Sequence, residues 1–592
     1  MKQLRKTPCG KSNTGLMNSL FILSLIIFKS NISVEGQNFI ISPGTTTTGL
    51  YGTMVIKSDI VNNGVFNNIG DNIILAGSSQ TLGGIVPVAF NDLTVSTGST
   101  ITVNTGIQTL SGTLLCDGTL NAGGKIALLS TEARTALVDG SGAGQVTGNL
   151  IMQRYLPSGF GYKYLSSPFQ DATVGELGDD INLLASFPSL YRYDEGRIYS
   201  GWISYVSSSG LLAPLHGYSV NLGASTAPDT IDVGGVVNNG AMEITLYNHN
   251  NTYTKGFNLV GNPFPSPIDW DASTGWTKDN IDNAIYFFNA SNTDQYGGTY
   301  STYMGGISSD GIASNNIPSM QGFFVHVTDG TWPVAGTLGL DNSVRINNTT
   351  QTFLKSGKGG TPYIRIAAGY ADDSLSYDPL CIYFDLNATK NFDGQYDAYK
   401  LFNTDKNVTN FYSFAADSSR LSINALPLND SSFCKIRLGL KTERNGYVIF
   451  KIKDIIGEFK FKYVSVYDSF TGITQDITNG LQYKVSLIAG DYQKRFFLNF
   501  SNLKTVVPEM AADDKWFNIF SSYGTLKTEI NLPSCEDGIF KIYNLAGQNL
   551  MVYKIHQPGY HEFTPALNSG IYVITFMSGN FRVSKKIFIQ SQ

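Results

Sequence analysis

The chain has 592 residues and a formal net charge of −5, and only 15% of its residues are charged, against about 25% in typical soluble domains. Glycine occurs 62 times and aromatic residues make up 12% of the chain, which is typical of extracellular β proteins. The length predicts several domains. No basic patch is present to neutralise phosphates, so the composition excludes nucleic acid as a partner.

The N-terminus combines a basic segment with a short apolar run, Leu20–Phe28. This run is too short to span a bilayer, which takes roughly 20 apolar residues. A basic segment followed by a short apolar one indicates a secretory signal peptide. We place the signal peptide at residues 1–36, with cleavage after Gly36 and a true start at Met1 or Met17. No later run is apolar enough to span a membrane, so we expect no transmembrane segment in the mature chain.

Residues 37–150 are polar and repetitive. Short apolar segments such as Leu93–Val95 and Ile101–Val103 recur between Gly, Ser, Asn and Thr residues. Such segments are typical of the rungs of a β-helix or β-roll, in which each rung buries its apolar side by stacking on its neighbours. A β-sandwich of short strands is the alternative interpretation. The region is similar to the Asn-Gly-rich β-helical parts of bacterial adhesins.

Residues 151–345 contain an internal duplication, which predicts two tandem β-sandwich-like modules at 151–247 and 248–345. Three landmarks recur in the same order: Gly161–Phe169 matches Gly256–Phe264, Tyr191 matches Tyr286, and Pro214–Val220 matches Pro318–Val325.

Aromatic residues are dense in both copies, and loops rich in Tyr, Ser, Gly and Asn form adaptable contact surfaces. The sequence leaves open whether these rings contact a ligand or fill two sandwich cores. The rings in question are Tyr191, Tyr193, Tyr199, Trp202 and Tyr205 in the first copy and Tyr286, Phe287, Phe288, Tyr296, Tyr300 and Tyr303 in the second.

A proline-rich loop in the second copy carries a candidate sugar site. Asp269 and Asp271 flank Trp270, and Trp276 follows closely. Aromatic faces stack on sugar rings, and a glycosidase needs two carboxylates with no fixed spacing in sequence. The alternative is that Trp270 packs over the loop and the aspartates begin a turn.

The same copy holds a weak calcium candidate, Asp279, Asp282 and Asn283, because hard oxygen ligands cluster in this way. The three residues do not fit the EF-hand pattern, and we otherwise expect no cofactor or metal. The HExxH and GxSxG motifs of metalloproteases and serine hydrolases are absent from the sequence. We therefore predict no catalytic residues and no enzyme activity.

Residues 346–507 alternate as a further β-sandwich, and residues 508–515 form a linker. Cys381 and Cys434 lie in the same predicted domain. They could form a disulfide in an oxidising compartment, or they could remain buried thiols.

Residues 516–592 form a small β domain that carries a resemblance to a known family. A strand ends in Tyr543-Asn544-Leu545-Ala546-Gly547-Gln548, and Gly570-Ile571-Tyr572 begins a hairpin whose closing strand contains Lys585-Lys586. These features resemble the type A C-terminal sorting domain of proteins exported by the type IX secretion system. A generic immunoglobulin-like domain is the alternative. The family's Asn-Pro near the first strand is replaced here by Phe517–Tyr523, which leaves the register of that strand open.

The resemblance implies an immunoglobulin-like fold, export through the periplasm and an extracellular or outer-membrane-attached location. The implied partners are the type IX secretion translocon and its sortase machinery. The fold class is therefore all-β and multi-domain. The function we predict is that of a non-enzymatic, adhesin-like surface protein with a carbohydrate or host-matrix ligand. A carbohydrate-active enzyme or accessory binding protein is one alternative, and a structural stalk or surface-layer component is the other.

Overall fold

The structure, a computed structural model, confirms the all-β class. It describes residues 27–28, 32–34, 38–50, 52–70, 72–349, 361–373, 376–428, 433–502, 517–522, 524–530, 538–578 and 581–589. Most of the predicted signal peptide and the whole linker at 508–515 lie outside these ranges. The chain divides into two compact units, Met1–Gly360 with Gly394–Asp405 and Thr361–Asp393 with Lys406–Gln592.

The N-terminal region is a three-sided β-helix, in which successive strands join three parallel sheets in turn. The first sheet contains Ile27–Phe28, Thr46–Leu50, Val65–Ile69, Ala89–Phe90, Gln108–Leu110, Ile126–Leu128 and Asn149–Leu156. The second contains Ile32–Val34, Thr53–Ile56, Asn72–Leu75, Asp92–Val95, Thr113–Cys116 and Leu137–Val138. The third contains Phe39–Ile41, Ile60–Asn62, Gln80–Gly83, Thr100–Val103, Thr119–Asn121 and Gln145–Thr147.

Stacked apolar side chains hold the β-helix together. Ile56, Leu75, Val95 and Cys116 occupy the same register on four successive turns, and all four are buried. Each rung buries one side of a short strand only because the next rung covers it. The last rung is closed by Asp229–Val236, which pairs antiparallel with Asn149–Leu156.

The duplicated region contains two sheets with the same strand order, as the internal duplication predicts. The first sheet runs Phe160–Leu165, Tyr218–Ala224, Leu190–Tyr193, Trp202–Ser204. The second runs Phe257–Gly261, Gly322–Val327, Ile281–Ala290, Gly298–Met304, with Ile307–Ser308 added at its edge.

Shorter elements complete the second module. Met242–Asn248, Val334–Leu340 and Trp276–Asp279 form a three-stranded sheet, and Ile268–Asp269 pairs with Asn316–Ile317. A short 3-10 helix spans Asn342–Val344 in this module, and another spans Val174–Leu177 in the first module. The boundary predicted at 247/248 cuts through Met242–Asn248. That strand belongs with the second module, because it pairs with Val334–Leu340 along its whole length.

The second unit contains one large sheet that encloses a core of residues such as Ile364, Leu438, Phe450 and Leu498. Its order is Ile473–Asp476, Tyr463–Asp468, Phe496–Ser501, Phe433–Thr442, Asn410–Phe414, Arg420–Pro427, Tyr377–Asp385, Tyr363–Tyr370, Gly446–Ile456, Gln482–Leu487. Gly490–Tyr492 pairs with Phe433–Thr442, and Thr478–Gly480 is a 3-10 helix. Residues 394–405, predicted as part of this domain, belong to the first unit instead.

The C-terminal segment is a two-sheet sandwich of the immunoglobulin-like kind. One sheet runs Phe517–Ser522, Thr525–Ile530, Gly559–Phe563, and the other runs Asn549–Ile555, Gly538–Tyr543, Gly570–Ser578, Phe581–Ile589. The rings of Phe517 and Phe576 stack between the sheets with centroids 5.1 Å apart. None of the helices in the described ranges has the length and hydropathy that crossing a bilayer requires.

Candidate ligand-binding surface

The two modules are joined by a reciprocal exchange of backbone pairs. Leu165 of the first module bridges to Gln321 of the second, and Val260 of the second bridges to His216 of the first. The four residues occupy equivalent positions in the duplicated sequence. Each module therefore supplies a backbone partner to the end of a strand in the other module.

A left-handed residue precedes each of the two bridging loop positions. Leu215 has φ 63° and Met320 has φ 58°, and both side chains are buried. The carbonyl of Leu215 accepts a hydrogen bond from the Gly261 amide at 3.0 Å, and that of Met320 accepts one from the Ser166 amide at 3.2 Å. These conformations are unfavourable for residues with a Cβ, so the pairing between modules holds them in place.

Many of the aromatic residues singled out in the sequence form a core between the two modules. Tyr164 stacks on Phe288 with centroids 5.0 Å apart, and Tyr193 contacts Phe324 at the same distance. The Tyr164 and Tyr300 hydroxyls lie 2.9 Å apart. Burial raises the pKa of Tyr300 to about 12 and that of Tyr164 well above its usual value. These rings contribute to cohesion and do not face a ligand.

A second group of rings reaches the surface, and we call Tyr162, Phe187, Tyr191 and Tyr296 the aromatic patch. Tyr162 lies 6.3 Å from both Tyr191 and Tyr296, and Phe187 lies 5.6 Å from Tyr296, measured between ring centroids. Phe187 is 55% exposed and Tyr296 is 57% exposed. The patch thus combines three rings of the first module with one from the second.

Polar contacts fix the floor of the aromatic patch. The Gln295 side-chain amide donates to Asn221 Oδ1 at 3.0 Å, and Asn221 pairs across the strands with Tyr162. Gly161 adopts φ 71°, and a Cβ there would approach the Gln295 carbonyl oxygen to 3.0 Å. Glycine at this position lets the loop of the second module close onto the first.

Sequence reasoning found Tyr191 and Tyr296 but missed Phe187 and Tyr162. The signal for Phe187 was a large apolar residue in a polar loop between Ser186 and a proline. Tyr162 sits in a strand whose alternation gives no hint of which face is covered.

The expected sugar platform at Trp270 is not formed, which corrects the prediction. Trp270 is 1% exposed, and its indole N–H donates to the Asn283 carbonyl oxygen at 2.8 Å. The Lys278 ammonium lies 3.6 Å from the Trp270 ring centroid and donates to the Trp270 carbonyl oxygen at 2.8 Å. Trp276 packs edge-on at 4.9 Å. An internal lysine therefore occupies the place that a stacked sugar would take.

The two aspartates beside Trp270 bind within the loop. Asp269 accepts hydrogen bonds from the Asn315 side chain at 2.6 Å and from the Asp271 amide at 2.9 Å. Asp271 accepts the Tyr303 hydroxyl. Burial raises the pKa of Asp271 and lowers the pKa of Lys278 to about 8. The arrangement matches the packing and turn alternative.

Two of the calcium candidates, Asp282 and Asn283, form hydrogen bonds to other residues of the protein. Asp282 is buried. One of its carboxylate oxygens lies 2.6 Å from His326 Nδ1, and the other accepts a hydrogen bond from a threonine hydroxyl at 2.8 Å. Asn283 donates its side-chain amide to Gln395, and Asp279 ends an edge strand. Both oxygens of Asp282 are thus already engaged by the protein.

An ion pair between the buried Glu195 and the exposed His249, for which no sequence motif was found, links the two modules. Glu195 is 4% exposed, and its carboxylate lies 2.6 Å from His249 Nδ1. It also accepts the amides of His249 at 3.1 Å and Gly256 at 3.0 Å. The pair lies far apart in the chain, so no spacing rule could reveal it.

Asp179, Asp180 and Asp232 form an acidic cluster on the first module. Burial, the first cause, raises the pKa of Asp180 to about 7, and the neighbouring carboxylates add to the shift. One Asp180 oxygen accepts the Asp232 amide at 3.4 Å. The cluster is held by the backbone of its own module.

Cys381 and Cys434 do not form the disulfide that the sequence left open. Both are present as thiols, as is Cys116, among the described residues. Cys381 pairs across strands with Arg365 and Ile423, whereas Cys434 pairs with Phe500. The two cysteines therefore sit on different parts of the large sheet.

The residues of the C-terminal motif lie on one sheet and its turn. Tyr543 ends a strand, and Gly547 adopts φ 80° in the turn that follows, where its amide donates to the Asn544 carbonyl oxygen at 3.0 Å. The other motif residues lie on the hairpin of the last two strands: Gly570, Ile571, Tyr572, Lys585 and Lys586.

Comparison with known proteins gives one family. The model described as a domain of unknown function, DUF8693, matches residues 68–500. That range takes in most of the β-helix, both modules and the large sheet of the second unit, but not the C-terminal sandwich. No curated protein matches the chain. Because the match covers most of its length, the chain belongs to the DUF8693 family.

Proposed function

We propose that this chain is an exported, cell-surface-attached protein that binds a ligand through the aromatic patch and performs no chemistry on it. The observation that carries the proposal is the patch itself, in which Phe187 and Tyr296 are more than half exposed and lie in ring contact. Exposed, contiguous aromatic surface marks interaction sites. Tyr and Phe provide large contact area at a small cost in side-chain entropy.

The ligand is a carbohydrate or a protein of a host or matrix surface. Rings that meet at steep angles leave open faces for sugar C–H groups or for apolar side chains. The amides of Asn221 and Gln295 beside them can exchange hydrogen bonds with either ligand. The rival, a carbohydrate-active enzyme, was based on the loop around Trp270, whose ring is buried beneath Lys278.

Export is proposed from the C-terminal segment, whose motif resembles a type IX sorting domain and whose fold is an immunoglobulin-like sandwich. The partners would be the type IX translocon and its sortase machinery. Deleting residues 516–592 should leave the protein in the periplasm. Surface labelling of intact cells measures this directly, and normal surface display of the truncated chain would contradict the export proposal.

Ligand binding is tested by retention of the purified chain on immobilised polysaccharides and matrix proteins, with released reducing ends measured in the same samples. Tyr296→Ser and Phe187→Ser should each weaken retention several-fold to about tenfold, as expected for the loss of one aromatic contact. Tyr253→Ser is the matched control, because Tyr253 is 70% exposed and lies outside the patch.

Three outcomes would contradict the proposal. Unchanged retention in both patch variants would remove the patch from the binding site. Release of reducing ends would favour the carbohydrate-active alternative. No retention on any surface would favour a structural stalk or surface-layer component.

A further inference from the structure

The second module contains its own counterpart of the aromatic patch. Strand pairing sets Tyr162 opposite Asn221 in the first module and Phe257 opposite His326 in the second. Tyr191 likewise corresponds to Tyr286, since they pair with the equivalent residues Ser219 and Phe324. Two of the four patch positions, Tyr162 and Tyr191, therefore have counterparts in the second module.

The counterpart in the second module is covered by an extended segment of the same chain, residues 394–405. Tyr399 of this segment lies 4.9 Å from His326 and 6.4 Å from Phe257, measured between ring centroids. Its hydroxyl donates to Asp329 at 2.7 Å. Under this cover Tyr286 is 1% exposed and Phe257 is 8% exposed.

Backbone hydrogen bonds at both ends hold the covering segment. The Asn283 amide donates to the Gly394 carbonyl oxygen at 2.9 Å, and the Thr404 amide donates to the Gly298 carbonyl oxygen at 2.8 Å. Main-chain bonds of this kind give affinity for polypeptide regardless of sequence, while the aromatic contact selects a side chain.

The first module lacks an equivalent covering segment among the described residues. The Tyr296 side chain of the second module lies 6.3 Å from Tyr162 between ring centroids, and it stays 57% exposed. The position of Asp329 is taken by Ala224 in the first module, so the acceptor for the Tyr399 hydroxyl is missing there. The site is thus aromatic, open and less polar than its covered counterpart.

From this comparison we propose that the aromatic patch binds an extended polypeptide segment of a partner protein through an aromatic side chain. This inference rests on the proposed function and narrows the ligand from two classes, a carbohydrate or a protein, to a protein. The partner segment places its ring against Tyr162 and beside Asn221, as Tyr399 does against Phe257 and beside His326. Because the acceptor is absent, the patch takes phenylalanine as readily as tyrosine.

The test uses the full chain and a synthetic peptide with the sequence of residues 394–405, which is the one segment known to lie on such a surface. Fluorescence anisotropy of the labelled peptide measures binding. Replacing the peptide residue that corresponds to Tyr399 with alanine should weaken binding by about tenfold, the upper end expected for an aromatic pair. Replacement with phenylalanine should leave binding unchanged.

Protein variants locate the binding site. Tyr191→Ser should weaken peptide binding by about tenfold, whereas Tyr253→Ser should leave it unchanged. Hydrogen exchange of the native chain gives a measurement that needs no variant: the peptide should protect amides around Tyr162 and Tyr191.

The outcomes separate this inference from the proposed function. No peptide binding, or binding that Tyr191→Ser leaves intact, overturns the inference. Retention on a polysaccharide that depends on the patch, without peptide binding, would also overturn it while keeping the proposed function. Protection confined to the second module would mean exchange with the resident segment, and that result would overturn the inference too.

Discussion

Lys278 gives the second module an unusual dependence of stability on pH. Its ammonium is enclosed by Trp270 and Trp276, and burial lowers its pKa from 10.5 to about 8. The unfolded chain therefore binds the proton more tightly than the folded chain does. Stability rises with pH wherever the unfolded state holds more protons, so the folded state should gain stability as pH rises from about 8 towards the ordinary lysine value.

The magnitude follows from the two pKa values. Each pKa unit corresponds to about 1.4 kcal/mol, and linkage between about pH 7 and pH 9.5 gives a gain of roughly 2 kcal/mol in the free energy of unfolding. Because Lys278 is only half-buried, screening by solvent reduces this to about 1–2 kcal/mol. Attraction of the ammonium to the Trp270 ring opposes the shift by about 1 kcal/mol.

Lys278→Met keeps the length of the side chain and removes the charge. Urea unfolding of the native chain and the variant at both pH values measures the difference in their free energies of unfolding. Titrating groups whose pKa does not depend on Lys278, such as Tyr303, contribute equally to both proteins and cancel. The native chain should gain up to about 1 kcal/mol on the variant as pH rises, which is what remains after the attraction to the ring is subtracted. A difference independent of pH, or one of opposite sign, would refute the argument from burial.

Two further predictions concern the link between the two modules, and one concerns the cysteines. Glu195→Gln should lower the free energy of unfolding by about 2 kcal/mol, because the glutamine amide cannot accept hydrogen bonds from all the donors around this side chain. Denaturant unfolding measures the loss. An equal loss in the exposed control Asp194→Asn would contradict the prediction. Cys381 and Cys434 should both react with a thiol reagent in the unfolded, unreduced chain, and a missing adduct in peptide mapping would show that they pair. Residues 151–247 alone should give no cooperative melting transition in near-UV circular dichroism, whereas a sharp transition would show that one module folds independently.

The sequence predicted the architecture wherever a periodic pattern carried it. Apolar segments such as Leu93–Val95 form rungs of the β-helix, because a strand that buries one face needs stacked neighbours. The duplication in the sequence reappears as two sheets of identical strand order.

The candidate site could be predicted only in part. Aromatic density identified the right region, but it does not separate Tyr164, which is buried between the modules, from Tyr191, which reaches the patch. That distinction depends on which face of the first module is covered by the second, which packs Phe288 and Phe324 against Tyr164. The misreading of Trp270 has the same origin, because nothing local indicated that Lys278 would cover its ring.

The reciprocal geometry of the module junction keeps the two copies joined. Leu215 and Met320 each adopt a left-handed conformation that costs about 1–2 kcal/mol, and each directs its carbonyl to the other copy. Neither conformation has a reason to persist in an isolated module, so the junction constrains both copies to remain paired. The equivalent surfaces nevertheless differ. Tyr399 packs on the surface around Phe257 and His326, whereas the surface around Tyr191 is the one that we propose binds a partner.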